Sequence, residues 1–555
     1  SYVITQGIFG MLRVQNKRRA KRQNMEESNM KAKKIISLLL ALALVVSLFA
    51  ACGGDGKGSS SQAENSSDES NQTESTGGES SEGEAESTGK VDGGGYEVNY
   101  MYLVAQEGTN QNKVNEAVAA LAEKELNMKV NMIPMTFGTL NSQLSMMLAA
   151  GEPLDIFPAL SSNFSTYIES QYVVNLAPYL DDLQGAKEVL GSDFDCGYLG
   201  DFFIGLGQMK ERGYPAGLVV RKDIFEELGY KVEDFNITTD DYSSFDQIGD
   251  MFAKVKEKHP DMICLDGTSI MGTQDLSYMD NMGSNFGVLE NYGQTTEITN
   301  WFEGEQWRTF CEIAQEWFKA GYLSQDIAVN QDGGETKLKA GNSFSFITNV
   351  KPNTDIEKLA QTGYEVSVIQ MGEAMKNTNA VNSMLFAVAN AAEDPQKAAQ
   401  FLNWTYTSQE FNDLINWGIE GEDWVLTDDG LASYPDGVDA TSVGYHNDFG
   451  FVYPNQFAGH PWAGNPTDIW EQYDVYNEGI TTSKAYGFTF DSTPVANEEA
   501  QLNSVVEQYR KDLAFGVVDD LDAKIKEFND ALYAAGLQTV MDEKQKQFNE
   551  WLEKQ

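Results

Sequence analysis

Residues 96–157 read YEVNYMYLVAQEGTNQNKVNEAVAALAEKELNMKVNMIPMTFGTLNSQLSMMLAAGEPLDIF. Apolar residues alternate with polar ones in some segments of this stretch, and in others they recur every three to four residues. Alternation is typical of a strand, and the longer period is typical of a helix. Five segments follow in the order strand, helix, strand, helix, strand: 96–102, 112–128, 129–137, 140–148 and 155–157. This order predicts a parallel, doubly wound α/β sheet.

A second α/β unit begins at Gly217 and extends far towards the C-terminus. Its predicted elements are strands at 218–220, 366–369 and 384–388 and helices at 245–258, 307–320 and from Asp394 onwards. The last stretch, 497–555, is almost continuously helical, with breaks near Gly516 and Gly536. We therefore expect an α/β protein with two doubly wound units and a helical C-terminal segment.

Residues 30–52 read MKAKKIISLLLALALVVSLFAAC, in which a lysine-rich start is followed by an apolar run and two alanines before Cys52. This order is that of a secretory signal peptide. The apolar run is shorter than the ~20 residues of a membrane span. The ending LFAAC resembles a bacterial lipobox, which predicts that Cys52 is acylated and becomes the mature N-terminus. Ordinary signal cleavage beside an incidental cysteine is the alternative.

Three segments can be distinguished by composition in the first 95 residues. Residues 1–29 are predicted to be an upstream extension, with Met25 or Met30 as the true start, and 30–51 are the signal peptide. Residues 52–95 comprise the acylated cysteine and a tether of Gly, Ser, Glu, Thr and Asn that buries too little surface to fold. We therefore expect the protein on the extracellular face of a bacterial membrane, held by lipid.

Charge and motifs narrow the classes of function. The formal net charge of −45 argues against nucleic acid and anionic lipid surfaces as partners. No phosphate-binding glycine motif, zinc-protease motif or nucleophile elbow occurs, so we predict no catalytic residue, cofactor or metal. Cys196, Cys264 and Cys311 lack close spacing, which favours buried free thiols, although one bridge remains open.

Large aromatic residues crowd one region that is rich in Gly and Asn. They are Trp417, Trp424, Tyr434, Tyr445, Phe451, Tyr453, Trp462 and Trp470. Flat rings flanked by short polar side chains suit the apolar faces and hydroxyls of sugars. Packing beneath long loops is the alternative, and we expect roughly half of these rings to lie in the core.

Several motifs, taken in order, carry a resemblance to a known family. They are MMLAAGEPLDI (146–156), GLVVRKDIFEELGY (217–230), NWGIEGEDW (416–424), GYHN (444–447) and PNQ (454–456). The chain resembles the extracellular solute-binding lipoproteins of bacterial ABC importers, the family 1 type related to maltose-binding proteins. Its tail, from GFTFDSTPVANEEAQLNSV (487–505) to EKQKQFNEWL (543–552), resembles the C-terminal module of a subgroup linked to complex carbohydrate uptake.

The resemblance implies a two-lobed, periplasmic-binding-protein-like fold of type II. The family's discontinuous plan would place 96–216 and 339–383 in lobe one, 217–338 and 384–500 in lobe two, and 501–555 in C-terminal helices. A carbohydrate would be held between the lobes, which close by a hinge motion, and then be released to the ABC permease subunits. A monomer is expected.

The resemblance also implies a position for the ligand, because the segment corresponding to 417–462 contributes to the lobe-two side of the cleft in related proteins. Trp417, Trp424, Tyr445 and Trp462 are then the candidates for stacking on sugar, and Glu420, Asn447 and Asn455 for bonding its hydroxyls. A surface glycoside-degrading enzyme and a sugar sensor or adhesin remain the alternative functions. The sequence does not identify the sugar.

Replacing Cys52 with Ser tests the predicted lipid anchor. Each buried CH₂ of an acyl chain contributes about 0.8 kcal/mol to membrane affinity, and more than one chain gives stable retention. The Cys52→Ser variant should leave the membrane fraction for the medium, or remain as an uncleaved precursor. Fractionation followed by immunoblotting measures this, with Ser60→Ala in the tether as the control. Normal cleavage with unchanged fractionation would contradict the anchor.

Overall fold

The computed structural model describes residues 91–104, 108–239, 241–269 and 278–555. The upstream extension, the signal peptide, Cys52 and almost all of the tether lie outside the described residues. These parts of the sequence analysis therefore stay predictions.

The described part of the chain contains strands, α-helices and short 3-10 helices. The strands are β1 (Glu97–Leu103), β2 (Lys129–Met135), β3 (Ile156–Leu160), β4 (Tyr198–Leu199), β5 (Phe202–Phe203), β6 (Gly205–Leu206), β7 (Ala216–Arg221), β8 (Ile263–Leu265), β9 (Ser343–Asn349), β10 (Val366–Met371), β11 (Met375–Lys376), β12 (Met384–Val388), β13 (Val425–Leu426), β14 (Ala432–Ser433) and β15 (Thr481–Thr482). The α-helices are α1 (Gln111–Leu126), α2 (Phe137–Ala150), α3 (Phe164–Glu169), α4 (Gln184–Leu190), α5 (Lys222–Glu227), α6 (Asp246–Lys258), α7 (Glu290–Gly293), α8 (Glu305–Lys319), α9 (Gly334–Lys339), α10 (Thr354–Thr362), α11 (Asn379–Asn382), α12 (Pro395–Thr407), α13 (Gln409–Trp417), α14 (Ile469–Gly479), α15 (Ala496–Ala514), α16 (Leu521–Ala534) and α17 (Leu537–Leu552). Segments of 3-10 helix occur at Ser161–Asn163, Ala177–Leu183, Gly191–Gly197, Val232–Asp234, Tyr242–Phe245, Trp301–Glu303, Gly450–Val452, Gln456–Ala458 and Thr493–Val495.

The first sheet has the strand order β2-β1-β3-β12-β6. β1 runs parallel to β2 and β3, so the strand and helix order predicted over 96–157 is confirmed. β12 is antiparallel to both β3 and β6. Most of β1 is buried, as expected for a central strand that is covered on both faces. Gly151 ends α2 in a left-handed conformation, with φ of 64°.

The second sheet has the strand order β10-β7-β9-β8. β7 is antiparallel to β9 and β10, and β8 is parallel to β9. The predicted division into lobes is therefore wrong in two places: 339–383 does not return to the first sheet, and the strand at 384–388 does not join the second. The runs SFSFIT and MLFAV are both short and apolar, and such a pattern does not indicate which sheet receives the strand.

Two hydrophobic cores define the observed lobes, which differ from the predicted ones. The core of lobe one is built from residues between Val98 and Leu206 and between Met384 and Tyr453. The core of lobe two is built from residues between Ala216 and Met375 and between Ala485 and Phe548. The predicted segment 384–500 is thus shared between the lobes.

In the described part of the chain, three segments cross between the lobes: 207–215, 372–383 and 463–482. The first two are paired through a bridge between Gly213 and Lys376. The second and third are joined where β11 pairs in parallel with β15. The backbone N–H of Arg212 donates to Asn477 Oδ1 at 2.7 Å, which ties the first crossing to the third. The three crossings therefore form one connected junction.

A buried carboxylate lies at this junction. Asp193 of lobe one accepts from Arg212 Nε at 2.5 Å and from Lys376 Nζ at 2.6 Å, and also from the Tyr486 hydroxyl. Arg212 is fully buried and Asp193 almost so. Burial alone would raise the pKa of Asp193, but Arg212 and Lys376 outweigh it and hold this pKa below its usual value. The carboxylate thus joins lobe one to two crossings and to lobe two.

The C-terminal helices are part of lobe two. Leu502, Phe528 and Phe548 belong to its core, and the rings of Phe528 and Phe302 lie 4.9 Å apart. The Asn300 amide donates to the Asn529 side chain at 2.8 Å within this interface. The predicted helices over 501–555 are confirmed, and they complete lobe two.

Gly516 provides a test of this packing. It has φ of +68°, and an added Cβ would lie 2.3 Å from backbone atoms of Gln315 in α8. Gly516→Ala should lower the free energy of unfolding by roughly 2–4 kcal/mol, because it adds both backbone strain and a clash. Urea denaturation measures the change. Gly138→Ala is the control, since its nearest atom lies 4.0 Å away and a loss within 0.5 kcal/mol is expected. Equal midpoints for the two variants would contradict the packing.

Candidate functional site

Two cavities lie where the lobes and the crossings meet. The central cavity has a volume of about 310 Å³ and is lined by the first two crossings, the end of β9 and part of the 278–289 loop. The side cavity has a volume of about 590 Å³ and is lined by lobe one, the second crossing and the C-terminal part of lobe two. Asn379 lines both, so we treat them as two parts of one interlobe cleft.

The strand order explains why the lining residues meet here. Asn349 is the last residue of β9, and Ser161 directly follows β3. Loops at the carboxyl ends of strands gather at one edge of an α/β sheet, where ligands bind in this class of fold. The cleft thus lies between the carboxyl-end edges of the two sheets.

The central cavity offers amide groups, a ring and a cation. Its lining asparagines are Asn281, Asn349, Asn377 and Asn379. Each amide supplies two donors and an acceptor, the set that a polyhydroxylated ligand requires. Lys210 Nζ lies 5.2 Å from the centroid of the Tyr214 ring, and burial lowers the pKa of Lys210 to about 8. The Tyr214 hydroxyl donates to the Glu211 carbonyl at 2.9 Å, which fixes the ring.

The lobe-two wall of the cleft is a tight loop over 280–289. Asp280 and Leu289 exchange two backbone hydrogen bonds of 2.9 Å. The Asp280 carboxylate accepts from the Met282 N–H at 2.9 Å, and burial raises the pKa of Asp280. The Asn281 amide donates to Asn285 Oδ1 at 3.0 Å. This loop therefore presents Asn281 to the central cavity from a fixed backbone.

Three of the aromatic residues predicted to bind sugar form a cluster. Trp417 and Trp424 are each only 5% exposed, and Trp462 packs against them with its ring 4.8 Å from that of Trp417. The indole N–H of Trp417 donates to the His460 carbonyl, and that of Trp424 donates to the Gly418 carbonyl. The burial of these rings favours the packing alternative.

The His446 ring belongs to the same cluster. It lies 4.4 Å from the Trp462 ring and 5.2 Å from the Trp417 ring. Burial lowers the pKa of His446 to about 4, so the imidazole is neutral at neutral pH and packs as an aromatic ring. The cluster is thus held together without a charged member.

Three further side chains that were predicted to contact the ligand form hydrogen bonds within the protein. The Tyr445 hydroxyl donates to the Ile415 carbonyl at 2.8 Å, and the Asn447 amide donates to the Leu103 carbonyl at 3.2 Å. The Asn455 amide donates to the Tyr406 carbonyl at 2.8 Å. These bonds fasten 445–455 to lobe one, so the predicted placement of this segment on lobe two is wrong. A role for these side chains in sugar binding stays a prediction.

Glu420 lies apart from the cleft, at an outer groove of about 640 Å³ between α1 and α13. Trp424 and Asp413 also line this groove, and the Asp413 carboxylate bonds His460 Nδ1 at 2.8 Å. None of the residues that line the groove lines either cavity of the cleft. The seven predicted residues are therefore not gathered around one cavity.

The described parts of the chain bear on possible metal ligands, thiols and membrane-spanning helices. No group of three His, Cys, Asp or Glu side chains there could hold a metal ion. The three cysteines are free and buried, as predicted, and burial raises the pKa of both Cys196 and Cys264 to about 12. No helix within the described residues combines the length and hydropathy needed to cross a bilayer.

The residues that line the central cavity were not among the predicted site residues. Lys210 and Tyr214 lie in GQMKERGYPAG (207–217), at the boundary that the resemblance places between lobe one and lobe two. Asn349 ends β9, a strand that was not predicted. Nearness in sequence to a crossing and to the carboxyl end of a strand could have identified these cavity residues. The cluster of aromatic residues instead identified rings that pack within lobe one.

Two family models match the chain. One, described as bacterial extracellular solute-binding protein, matches residues 116–419, which is more than half of the chain. The other, described as a domain of unknown function (DUF3502), matches residues 484–553. The second match coincides with the C-terminal part of lobe two, and we call residues 484–553 the C-terminal module.

Similar proteins come from Streptococcus pneumoniae. A protein named carbohydrate ABC transporter substrate-binding protein, from serotype 4, is 22% identical over 485 residues, with 83% of this chain and 92% of that protein covered. The crystal structure of the N-glycan transport solute binding protein NgtS has a TM-score of 0.70 at 16% identity, covering 82% of this chain and 99% of that one. NgtS in complex with Man5GlcNAc has a TM-score of 0.62 at 16% identity, covering 83% and 99%. The two-lobed, type II fold is thus confirmed.

Trp417→Ala distinguishes a core ring from a sugar platform. Because Trp417 is buried, its removal should lower the free energy of unfolding by about 3–5 kcal/mol. Ligand affinity of the remaining folded protein should be unchanged. Phe451→Ala is the control, because that ring belongs to the same segment but is 38% exposed. Urea denaturation and calorimetry on each variant give the two quantities. Normal stability with weakened binding would reinstate Trp417 as a ligand contact.

Proposed function

The chain belongs to the bacterial extracellular solute-binding proteins, and we propose that it captures an oligosaccharide between its lobes and delivers it to an ABC permease. The observation that carries this proposal is the interlobe cleft. It is lined from both lobes and from the crossings, so a ligand in it touches every part that a hinge motion would displace.

The chemistry of the cleft supports a sugar over an apolar ligand. Four asparagines and the Tyr214 ring line the central cavity, which matches hydroxyls along the edge of a sugar and C–H groups on its face. The cavities together are large enough for several sugar units, in the range of pockets that enclose drug-sized ligands. The name of the pneumococcal relative and the glycan bound by NgtS support the same class of ligand.

The remaining parts of the proposal concern location and partners. Cys52 would carry the lipid that holds the protein at the outer face of the cell membrane, and the tether would let the folded part reach the permease. The protein would act as a monomer and as a receptor, without chemistry on the sugar. The family and the similar proteins are binding proteins, which supports that role.

Asn349→Ala tests the proposed site. Asn349 is exposed at the end of β9 and lines the central cavity, so its loss should remove hydrogen bonds to the ligand and leave the fold intact. A ligand identified by thermal shift from an oligosaccharide panel should bind this variant about 5- to 30-fold more weakly, which corresponds to 1–2 kcal/mol. Calorimetry measures the change.

Asn342→Ala is the matched control for this variant. Asn342 is an exposed asparagine directly before the other end of β9, and it lines neither cavity. Its affinity and melting temperature should equal those of the wild type. Equal binding by both variants would remove the central cavity from the site, and no stabilisation by any oligosaccharide would contradict the function.

A further inference from the structure

The C-terminal module forms a wall of the cleft as well as part of the lobe-two core. Eight residues of the module line the side cavity, at positions between Phe488 and Asn503. Facing them are Ser161, Ser162 and Thr166 of lobe one. The cavity therefore lies between lobe one and the module, beside the central cavity.

We propose that the C-terminal module builds a second glycan subsite in the side cavity, which takes a neutral branch or extension of the bound oligosaccharide. This inference rests on the proposed function and gives a role to a part of the chain that the matching family model leaves without one. Hydroxyl and amide side chains dominate the lining, and Glu169 and Glu499 are its charged members. With two carboxylates and no cation among the described residues that line it, the cavity would repel an acidic sugar and accept a neutral one.

The module also positions the loop that separates the two cavities. Lys544 is fully buried, and its ammonium donates to the carbonyls of Asn281, Ser284 and Gly287 at 2.9, 2.7 and 2.7 Å. Three N–H donors thus meet three carbonyls of one loop. The Ser284 hydroxyl is bonded in addition to Glu499 of the module. Because this loop lines both cavities, the module fixes their boundary.

The segment 488–493 is itself held from two sides. Gln547 of α17 bonds the backbone N–H and carbonyl of Asp491 at 3.0 and 2.9 Å. The Asp491 carboxylate accepts from the Ser165 hydroxyl of lobe one at 2.8 Å. The Asn382 amide of the second crossing donates to Thr489 Oγ1 at 2.7 Å. The side cavity therefore has a wall with a fixed backbone, as a binding subsite requires.

The two cavities are adjacent, since Asn379 lines both of them. A short ligand that fills the central cavity would leave the side cavity untouched, whereas a branched one would enter both. The module would thus discriminate between glycans by size.

A bulky side chain that fills the side cavity tests the proposed subsite. Ala496, an exposed residue at the start of α15, lines the side cavity, and Ala500, one turn further along the same helix, is equally exposed and does not. Ala496→Trp should block the subsite, with Ala500→Trp as the matched control. Deleting the module would not serve, because its helices complete the lobe-two core. The probes are Man5GlcNAc, the disaccharide Man1GlcNAc and an acidic alginate oligosaccharide, with affinity measured by calorimetry on the whole folded chain.

We expect Ala496→Trp to bind Man5GlcNAc at least 10-fold more weakly than Ala500→Trp does, with equal affinity of both variants for the disaccharide. Equal binding of Man5GlcNAc by the two variants would overturn the subsite and leave the proposed function standing. Wild-type binding of the acidic oligosaccharide alone would overturn the neutral subsite and likewise leave carbohydrate binding intact. Wild-type protein that binds no oligosaccharide would overturn the proposed function, and the subsite with it.

Discussion

The carboxylate of Asp193 is the interaction on which the two-lobed arrangement depends. It binds Arg212, Lys376 and Tyr486, which come from two crossings and from lobe two, while Asp193 belongs to lobe one. Removing one member of a buried charged set leaves the others uncompensated, at a cost of about 3–5 kcal/mol. The Asp193 carboxylate therefore holds the two lobes and two of the crossings in their observed arrangement. The cleft lies beside it, with Lys210 and Tyr214 in the same crossing as Arg212.

The C-terminal module links stability and recognition. Phe528 and Phe548 belong to the lobe-two core, and Lys544 holds the loop that lines the cleft. Burial lowers the pKa of Lys544, although Glu499 and Asp280 favour its charged form. A buried ammonium is stable only when every N–H has an acceptor, and the three loop carbonyls provide them. The shape of the loop and the fold of the module therefore depend on each other.

The sequence predicted the elements better than their assembly. Periodicity identified the strands and helices over 96–157, because a central sheet and its covering helices leave a strong apolar pattern. It gave no strand at 343–349 and could not assign 384–388 to a sheet, because pairing is decided by contacts distant in sequence. For the site, the sequence pattern around Trp417 and Trp424 would be the same whether these rings bind sugar or pack on each other. The Asn349 amide left no local signal, since its position in the cavity wall arises from the end of a strand facing a crossing.

The hydrogen bond between Ser165 and Asp491 would connect cleft closure to ligand size. It joins lobe one to the module beside the side cavity, so a hinge motion that separates these two residues would break it. A hydrogen bond to a charged group contributes about 1.5–3 kcal/mol, which would favour the observed arrangement over a more open one even without ligand. A ligand shifts the equilibrium further only by binding the closed form more tightly than the open one. A glycan that reaches the side cavity touches both sides of this contact, whereas a shorter one leaves closure to the central cavity alone. Contact with the module would therefore increase affinity twice, through the sugar bound there and through the closed state that it stabilises.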